Sequence, residues 1–290
     1  MDVRQNHRNM TAAQKSAFVS AILLLKNKVD SVLNPGKQSR YDDFVQIHKN
    51  AMMGPDMFMP MPHRGPLFFP WHRVLLRQFE LALQSAAQDS SITVPYWDWS
   101  LTGPNSPFTD DFFGGDGDSA QNHRVITGPF AFGQKNFEIR VWDDTSGDSG
   151  LRREFGTDPT ATLPSAADVA SALTKIPYSP GPGSWEVTCE GGLHNPVHRW
   201  VGGNMEDATS PNDPIFFLHH CYIDLLWEQW KKQHPSTAPY LPTSGGNGLD
   251  LTSTLVFNNS GRPAPWVGAW KVQDTLDTQK LGYTYAVPHR

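Results

Sequence analysis

Leu193-His194-Asn195-Pro196-Val197-His198-Arg199-Trp200-Val201-Gly202-Gly203 and, shortly after it, Asn212-Asp213-Pro214-Ile215-Phe216-Phe217-Leu218-His219-His220 decide how this chain folds. His194 and His198 stand four apart in a helical window, which places both imidazoles on one helix face. Asp213-Pro214 supplies a cap and a first-turn proline for a helix predicted to run to about His234. That helix must pack nearby to bury Phe216, Ile223 and Trp227. A third imidazole therefore converges on the pair, from His219 or from His220; spacing does not choose between them. Three imidazoles can hold one copper, zinc, iron or nickel ion and leave a coordination position open.

The first third of the chain repeats the logic with His48, His63 and His72. A helix is expected from Ser39 to about Lys49, with Tyr41, Phe44, Val45 and His48 on one face. The prolines at 55, 60, 62 and 66 predict that His63 lies on a loop. Pro70 then precedes a helix from Trp71 to about Ser85, carrying His72, Leu75, Leu76, Phe79 and Leu83. Together these elements predict a mainly α fold with a four-helix-bundle core that holds two metals between facing helices.

The rest of the chain reads as its frame. Thr11 and Gln14 form a capping-box pattern ahead of Phe18, Ile22 and Leu25 at helical spacing. The stretch from Pro95 to about Gly183 is rich in Gly, Pro and Asp, so long loops are expected. A modest helix from Ala166 to Lys175, capped by Ser165, interrupts them, and a short helix is expected around His194 to Val201. Tyr283-Thr284-Tyr285 alternates as a short strand would. No repeat or linker divides the chain, and residues 1–290 are expected to form a single domain.

Composition sets the outer limits. Lys plus Arg is 24 against Asp plus Glu 29, a formal charge of −5, with no basic cluster to favour nucleic acid as a partner. The longest apolar run, roughly Ala17 to Leu25, is too short to span a bilayer. Met1-Asp2-Val3-Arg4 does not read as a secretory signal, so a cytoplasmic location or secretion with a partner is expected. Cys189 and Cys221 are the only cysteines and build no disulfide framework. His7, His123, His234 and His289 lack any ligand-like context and are expected at the surface.

The two opening segments, together with Phe69-Pro70-Trp71-His72-Arg73 and Pro95-Tyr96-Trp97-Asp98-Trp99, resemble those of tyrosinases, members of the type 3 binuclear copper proteins. The resemblance runs from Val3-Arg4-Gln5-Asn6 to Tyr283-Thr284-Tyr285 and is nearest to the short bacterial form. It implies two copper ions, one on His48, His63 and His72, the other on His194, His198 and His220, which selects His220 over His219. It implies dioxygen as co-substrate and a phenolic substrate: monophenols become o-diphenols and o-diphenols become o-quinones, as in melanin biosynthesis. Two coppers are needed because reducing dioxygen by two electrons takes one from each Cu(I).

The resemblance also implies roles for neighbours. Glu190 and Asn195 match residues that hold a water and help deprotonate a monophenol, whose hydroxyl has a pKa near ~10; Glu186 competes with Glu190 for that role. Phe68 and Phe216 are expected to line the site, Arg199 to influence substrate orientation, and the small Ala208 to leave the entrance open, with Glu206 and Asp207 making it acidic. Asp224 is expected to pair with an N-terminal arginine such as Arg4, and Cys221 to be a core residue. Met61 stands where many fungal and plant relatives carry a cysteine joined to the second histidine, so no such thioether is expected. An open active site, without the shielding domain of many latent relatives, is expected unless a separate small protein covers it and delivers copper. The rival readings are a catechol or o-aminophenol oxidase, a dioxygen carrier, and a structural zinc protein. The last is disfavoured because structural zinc usually takes four protein ligands.

Overall fold

The computed structural model describes residues 1–52, 62–101, 106–134, 137–143, 147–245, 249–257, 266 and 268–286. Strand β1 (Asp2–Arg4) opens the chain and helix α1 (Ala12–Asn27) follows. Thr11 caps α1 as expected: its Oγ1 accepts from Gln14 N at 3.2 Å, while Gln14 Oε1 accepts from Thr11 N at 2.9 Å. The first two helices that carry candidate ligand histidines are α2 (Arg40–Met52) and α3 (Phe68–Ala87). Each is longer than the periodicity suggested. In α3 the first turn takes in Phe68 and Phe69, because Pro70 lacks only an N–H that the first turn would leave unbonded anyway.

The middle of the chain is irregular, with strands β2 (Gly117–Asp118) and β3 (Arg124–Val125) paired antiparallel, and helix α4 (Ala166–Leu173) capped by Ser165. The short helix expected around His194 to Val201 is present, as the end of a longer helical run. Helical structure begins at Trp185 with α5 (Trp185–Cys189), passes through a π-helical turn at Glu190–His194 and continues as α6 (Asn195–Val201). The wider turn carries the chain through Gly191-Gly192, residues of low helix propensity. Helix α7 (Ile215–Gln233) completes the bundle. Asp213 performs the capping, its Oδ1 accepting from Ile215 N at 3.1 Å. Strand β4 (Tyr283–Tyr285) pairs parallel with β1.

One contiguous apolar core joins these helices. Phe79 of α3 stacks on Phe217 of α7 with ring centroids 3.5 Å apart, and Phe44 of α2 meets Phe79 edge-on at 5.3 Å. Each fully buried ring of this size stabilises the fold by roughly 1.5–3 kcal/mol. Cys189 and Cys221 are free and buried, and Cys221 Sγ contacts Val94 O, a core role. Asp224 does reach Arg4, but at 3.6 Å; its closer partners are Arg73, Tyr283 and Tyr285, and Arg4 pairs mainly with Glu80. His7 is buried rather than exposed, its Nδ1 3.4 Å from Tyr96 O. Met61 and His289 lie outside the described residues. No helix among the described residues is long and apolar enough to cross a membrane.

Candidate metal centre

Six of the predicted histidines meet in the middle of the bundle. His48 comes from α2, His72 from α3, and His63 from irregular chain before α3. His194 and His198 lie on the α5–α6 stretch, and His220 on α7. The ligand atoms of His48, His63 and His72 lie within 4.8 Å of one another, and so do those of His194, His198, His219 and His220. The two groups adjoin, since the His72 and His220 rings stack at 4.5 Å.

The hydrogen bonds behind the rings fix their tautomers. Nδ1 of His48 donates to Ala208 O at 2.7 Å, that of His72 to Phe68 O at 2.8 Å and that of His198 to Met205 O at 2.6 Å. Nδ1 of His63 donates to Glu190 Oε1 at 3.1 Å, and Nδ1 of His194 to Asn195 Oδ1 at 2.8 Å. These oxygens accept, so in these five rings Nδ1 carries the proton and Nε2 presents a lone pair, whereas His220 Nδ1 is buried with no hydrogen-bond partner among the described residues and no bond behind the ring fixes its tautomer.

The Nε2 atoms face one another. Nε2 of His48 is 3.3 Å from that of His63, and Nε2 of His220 is 3.2 Å from that of His194 and 3.4 Å from that of His198. Two nitrogens each about 2.0–2.1 Å from one tetrahedral ion stand about 3.3 Å apart, so the spacing suits a shared cation. His72 Nε2 is buried and has no hydrogen-bond partner among the described residues. Burial pushes His48 and His63 down to about 3 and His198 to about 4, and holds His72, His194 and His220 well below the usual range. All six are neutral donors at neutral pH, the state a metal requires. The donor set fits two copper ions.

His219 belongs to the same neighbourhood but is engaged elsewhere. Its Nδ1 accepts from Trp99 Nε1 at 3.0 Å, and its ring stacks on His194 at 5.2 Å. Glu190 is buried on the helical stretch, not a solvent-facing loop carboxylate. Besides His63 it accepts from Arg64 N, at 3.0 Å on Oε1 and 2.8 Å on Oε2. Arg64 holds a left-handed φ of 58°, uncommon for a residue with a Cβ, and so belongs to the support of His63. Burial raises the Glu190 pKa; burial and the neighbouring Glu190 push Glu186 up to about 8. Glu186 sits behind Glu190, accepting from Ser179 Oγ at 3.2 Å.

Beside the histidines opens a cavity of about 450 Å³, walled by His48, Met52, His63, Gly191, His194, Asn195, His198, Arg199, Met205, Glu206, Asp207 and Ser210. Phe68 and Phe216 are not on that wall. Both are fully buried behind the imidazoles, Phe68 with its ring 5.0 Å from His194 and Phe216 4.0 Å from His220. Ala208 is absent from the wall too; its carbonyl supports His48. Arg199 is on the rim, bonded to Thr160 Oγ1 at 3.1 Å and 3.4 Å from Asp158. Sequence reading missed Arg64, Trp99 and Met52, and the carbonyls of Ala208 and Met205. A carbonyl's role leaves no trace in residue type, and Arg64 acts through its backbone.

Comparison with known proteins agrees with this geometry. The family model described as the common central domain of tyrosinase matches residues 38–233. A tyrosinase of Streptomyces antibioticus is 41% identical over 91% of this chain and 95% of its own length; one of Streptomyces glaucescens is 42% identical with the same coverage. A grixazone synthase of Streptomyces griseus subsp. griseus is 35% identical over 98% of both chains. The fold resembles that of a polyphenol oxidase from Thermothelomyces thermophila, with a TM-score of 0.74, 23% identity, and coverage of 99% of this chain and 89% of the other. The chain belongs to the tyrosinase family, whose members use two copper ions to oxidise phenols.

Proposed function

We propose that His48, His63 and His72 hold one copper and His194, His198 and His220 the other, within one domain spanning residues 1–290, and that the centre converts monophenols to o-diphenols and o-diphenols to o-quinones. The single observation that carries this assignment is that the ligand atoms of two adjoining histidine groups converge within 4.8 Å, with Nε2 pairs of His48 and His63, His194 and His220, and His198 and His220 at 3.2–3.4 Å. When bound, the copper pair supplies dioxygen binding and two-electron oxidation. The chain's own residues do the rest. Carbonyls of Ala208, Phe68 and Met205, with Glu190 and Asn195, hold the rings rigid and neutral.

Glu190 takes the proton of a monophenol through a water that Asn195, on the cavity wall, helps to hold. Asn195 is exposed on the cavity wall, and burial raises the Glu190 pKa, which makes its carboxylate a stronger base. Phe68 and Phe216 keep water from the back of the imidazoles. Glu206 and Asp207 against Arg199 leave the rim with an acidic excess, which favours phenols bearing a cationic or neutral group over those bearing a carboxylate.

A second reading, a catechol or o-aminophenol oxidase without useful monophenolase activity, is kept because one relative at 35% identity bears a different name from the tyrosinases. Oxygen uptake by the copper-loaded protein with a monophenol, an o-diphenol and an o-aminophenol separates the two. Uptake with all but the monophenol selects the second reading, and oxygen binding without turnover selects a carrier. In the same assay Glu190→Gln and Asn195→Ala should depress monophenol oxidation at least about tenfold more than diphenol oxidation; equal losses remove their proposed role. A copper-delivery partner, and cytoplasmic location or secretion with that partner, complete the proposal. Loading to two coppers per chain from free copper alone would remove the need for the partner.

A further inference from the structure

Of the bonds behind the ligand rings, the one behind His48 comes from farthest along the chain, 160 residues away. Its acceptor, Ala208 O, lies in the turn formed by residues 207–209. Phe68 O, by contrast, is held within the first turn of the helix that carries His72. The turn at Ala208 has no helix of its own to hold it against α2.

The irregular segment 141–143 supplies that hold. Asn212 Nδ2 donates to Val141 O at 2.8 Å, and Lys49 Nζ, one residue past His48 on α2, donates to Trp142 O. Asp143 makes the central contacts. Its Oδ2 accepts from Thr209 N at 2.9 Å and from Thr209 Oγ1 at 3.2 Å, and its Oδ1 stands 3.3 Å from Lys49 Nζ. The Lys49 pair is partly open to solvent and adds little stability by itself.

Thr209 N and Ala208 O belong to one peptide group. That peptide is trans, so its N–H and C=O point in opposite directions. The Asp143 carboxylate takes the N–H at 2.9 Å, and the carbonyl of the same group takes the His48 Nδ1–H at 2.7 Å. A charge at one end of such a chain polarises it, strengthening each bond by roughly 10–30%. His48 thus has a carboxylate at one remove, where His63 has Glu190 directly and His194 has the neutral Asn195. Carboxylates behind metal-binding imidazoles raise their basicity and fix their orientation.

We propose that Asp143 is a positioning residue for the metal centre: through the peptide between Ala208 and Thr209 its carboxylate aligns His48 and strengthens it as a donor to the ion that His48, His63 and His72 share. The inference rests on His48 being a copper ligand.

The test uses the full-length chain, with Cu(I) as probe, and the variants Asp143→Asn, Lys49→Gln and His48→Ala. Asp143→Asn keeps the shape and removes the charge, while Lys49→Gln breaks the tie to α2 and leaves the carboxylate on Thr209. Copper affinity is measured by competition with graded chelator. The His48 Nδ1–H resonance of the metal-free protein is followed by nitrogen-edited NMR and assigned by its loss in His48→Ala. Asp143→Asn should weaken one of the two coppers about tenfold and leave the other unchanged. Its Nδ1–H resonance should move upfield, with Tm lowered by no more than about 4 °C. Lys49→Gln should keep both the wild-type affinity and the wild-type resonance.

An unmoved resonance in Asp143→Asn, a loss shared equally by both coppers, or the same loss in Lys49→Gln would overturn the proposal. A purely structural tie would lower Tm without moving the resonance or singling out one copper. Full affinity for two coppers in His48→Ala strikes the ligand assignment instead; the link from Asp143 to His48 then stands or falls on the resonance.

Discussion

His219 and His220 are adjacent and chemically identical, and their surroundings separate them. On a helix, neighbours point about 100° apart. His220 sends Nε2 between those of His194 and His198, whereas His219 Nδ1 accepts the Trp99 N–H. His220→Ala should leave one copper per chain, and His219→Phe should leave two, bound about 10–100-fold more weakly; metal analysis after dialysis against graded chelator checks both. The same rings set the acid limit. Burial holds His48 and His63 at about 3 and His198 at about 4, against about 6.5 in the unfolded chain. The unfolded state therefore takes up protons first. The stability that these neutral rings supply is complete above pH 6.5 and is lost as pH falls toward 3–4, at up to about 1.4 kcal/mol per pH unit for each ring. The Tm of the metal-free protein should be flat above pH 7 and fall steadily from pH 6.5 to 4. A Tm equal at pH 4.5 and 7.5 would contradict this.

Among the elements, α7 depends on how its start is anchored. Arg153 and Asp213 are both fully buried, and the guanidinium meets the carboxylate through two bonds of 2.6 and 2.8 Å. Asp213 also accepts from Ile215 N, so one side chain pins α7 to the loop region and caps it. Asp213→Ala removes the cap and strands a buried cation. A loss of about 3–5 kcal/mol is expected by denaturant unfolding. The α5–α6 stretch marks where periodicity fails. Gly191-Gly192 and the extra residue of a π turn break the 3.6-residue pattern, so the sequence announced a helix only from His194. That turn places Glu190 against His63, a contact that the spacing of residues did not announce.

In the whole molecule, the two ends of the chain close over α3 and α7. β1 pairs with β4, and Asp224 on α7 gathers Arg73 at 2.6 Å, Tyr283 at 2.6 Å and Tyr285 at 2.5 Å, with Arg4 at 3.6 Å. Asp224→Ala leaves two buried guanidiniums short of charge and the Tyr283 hydroxyl short of its acceptor, while Tyr285 keeps Cys221 O at 3.2 Å. The expected loss is about 3–5 kcal/mol, read as a lower denaturant midpoint with both coppers still bound before unfolding. A midpoint unchanged within error would show that Glu80 and Glu228 suffice for the arginines. The sequence by itself determined the six ligand candidates, the helices that carry them and the family, because helical periodicity, caps and long motifs are local properties of residue type. Only the tertiary structure decided which atom stands behind each imidazole, that Phe68, Ala208 and Phe216 are off the cavity wall, and that Asp143 stands behind the peptide that supports His48. Those facts depend on carbonyls, burial and empty space, which form only when distant segments meet.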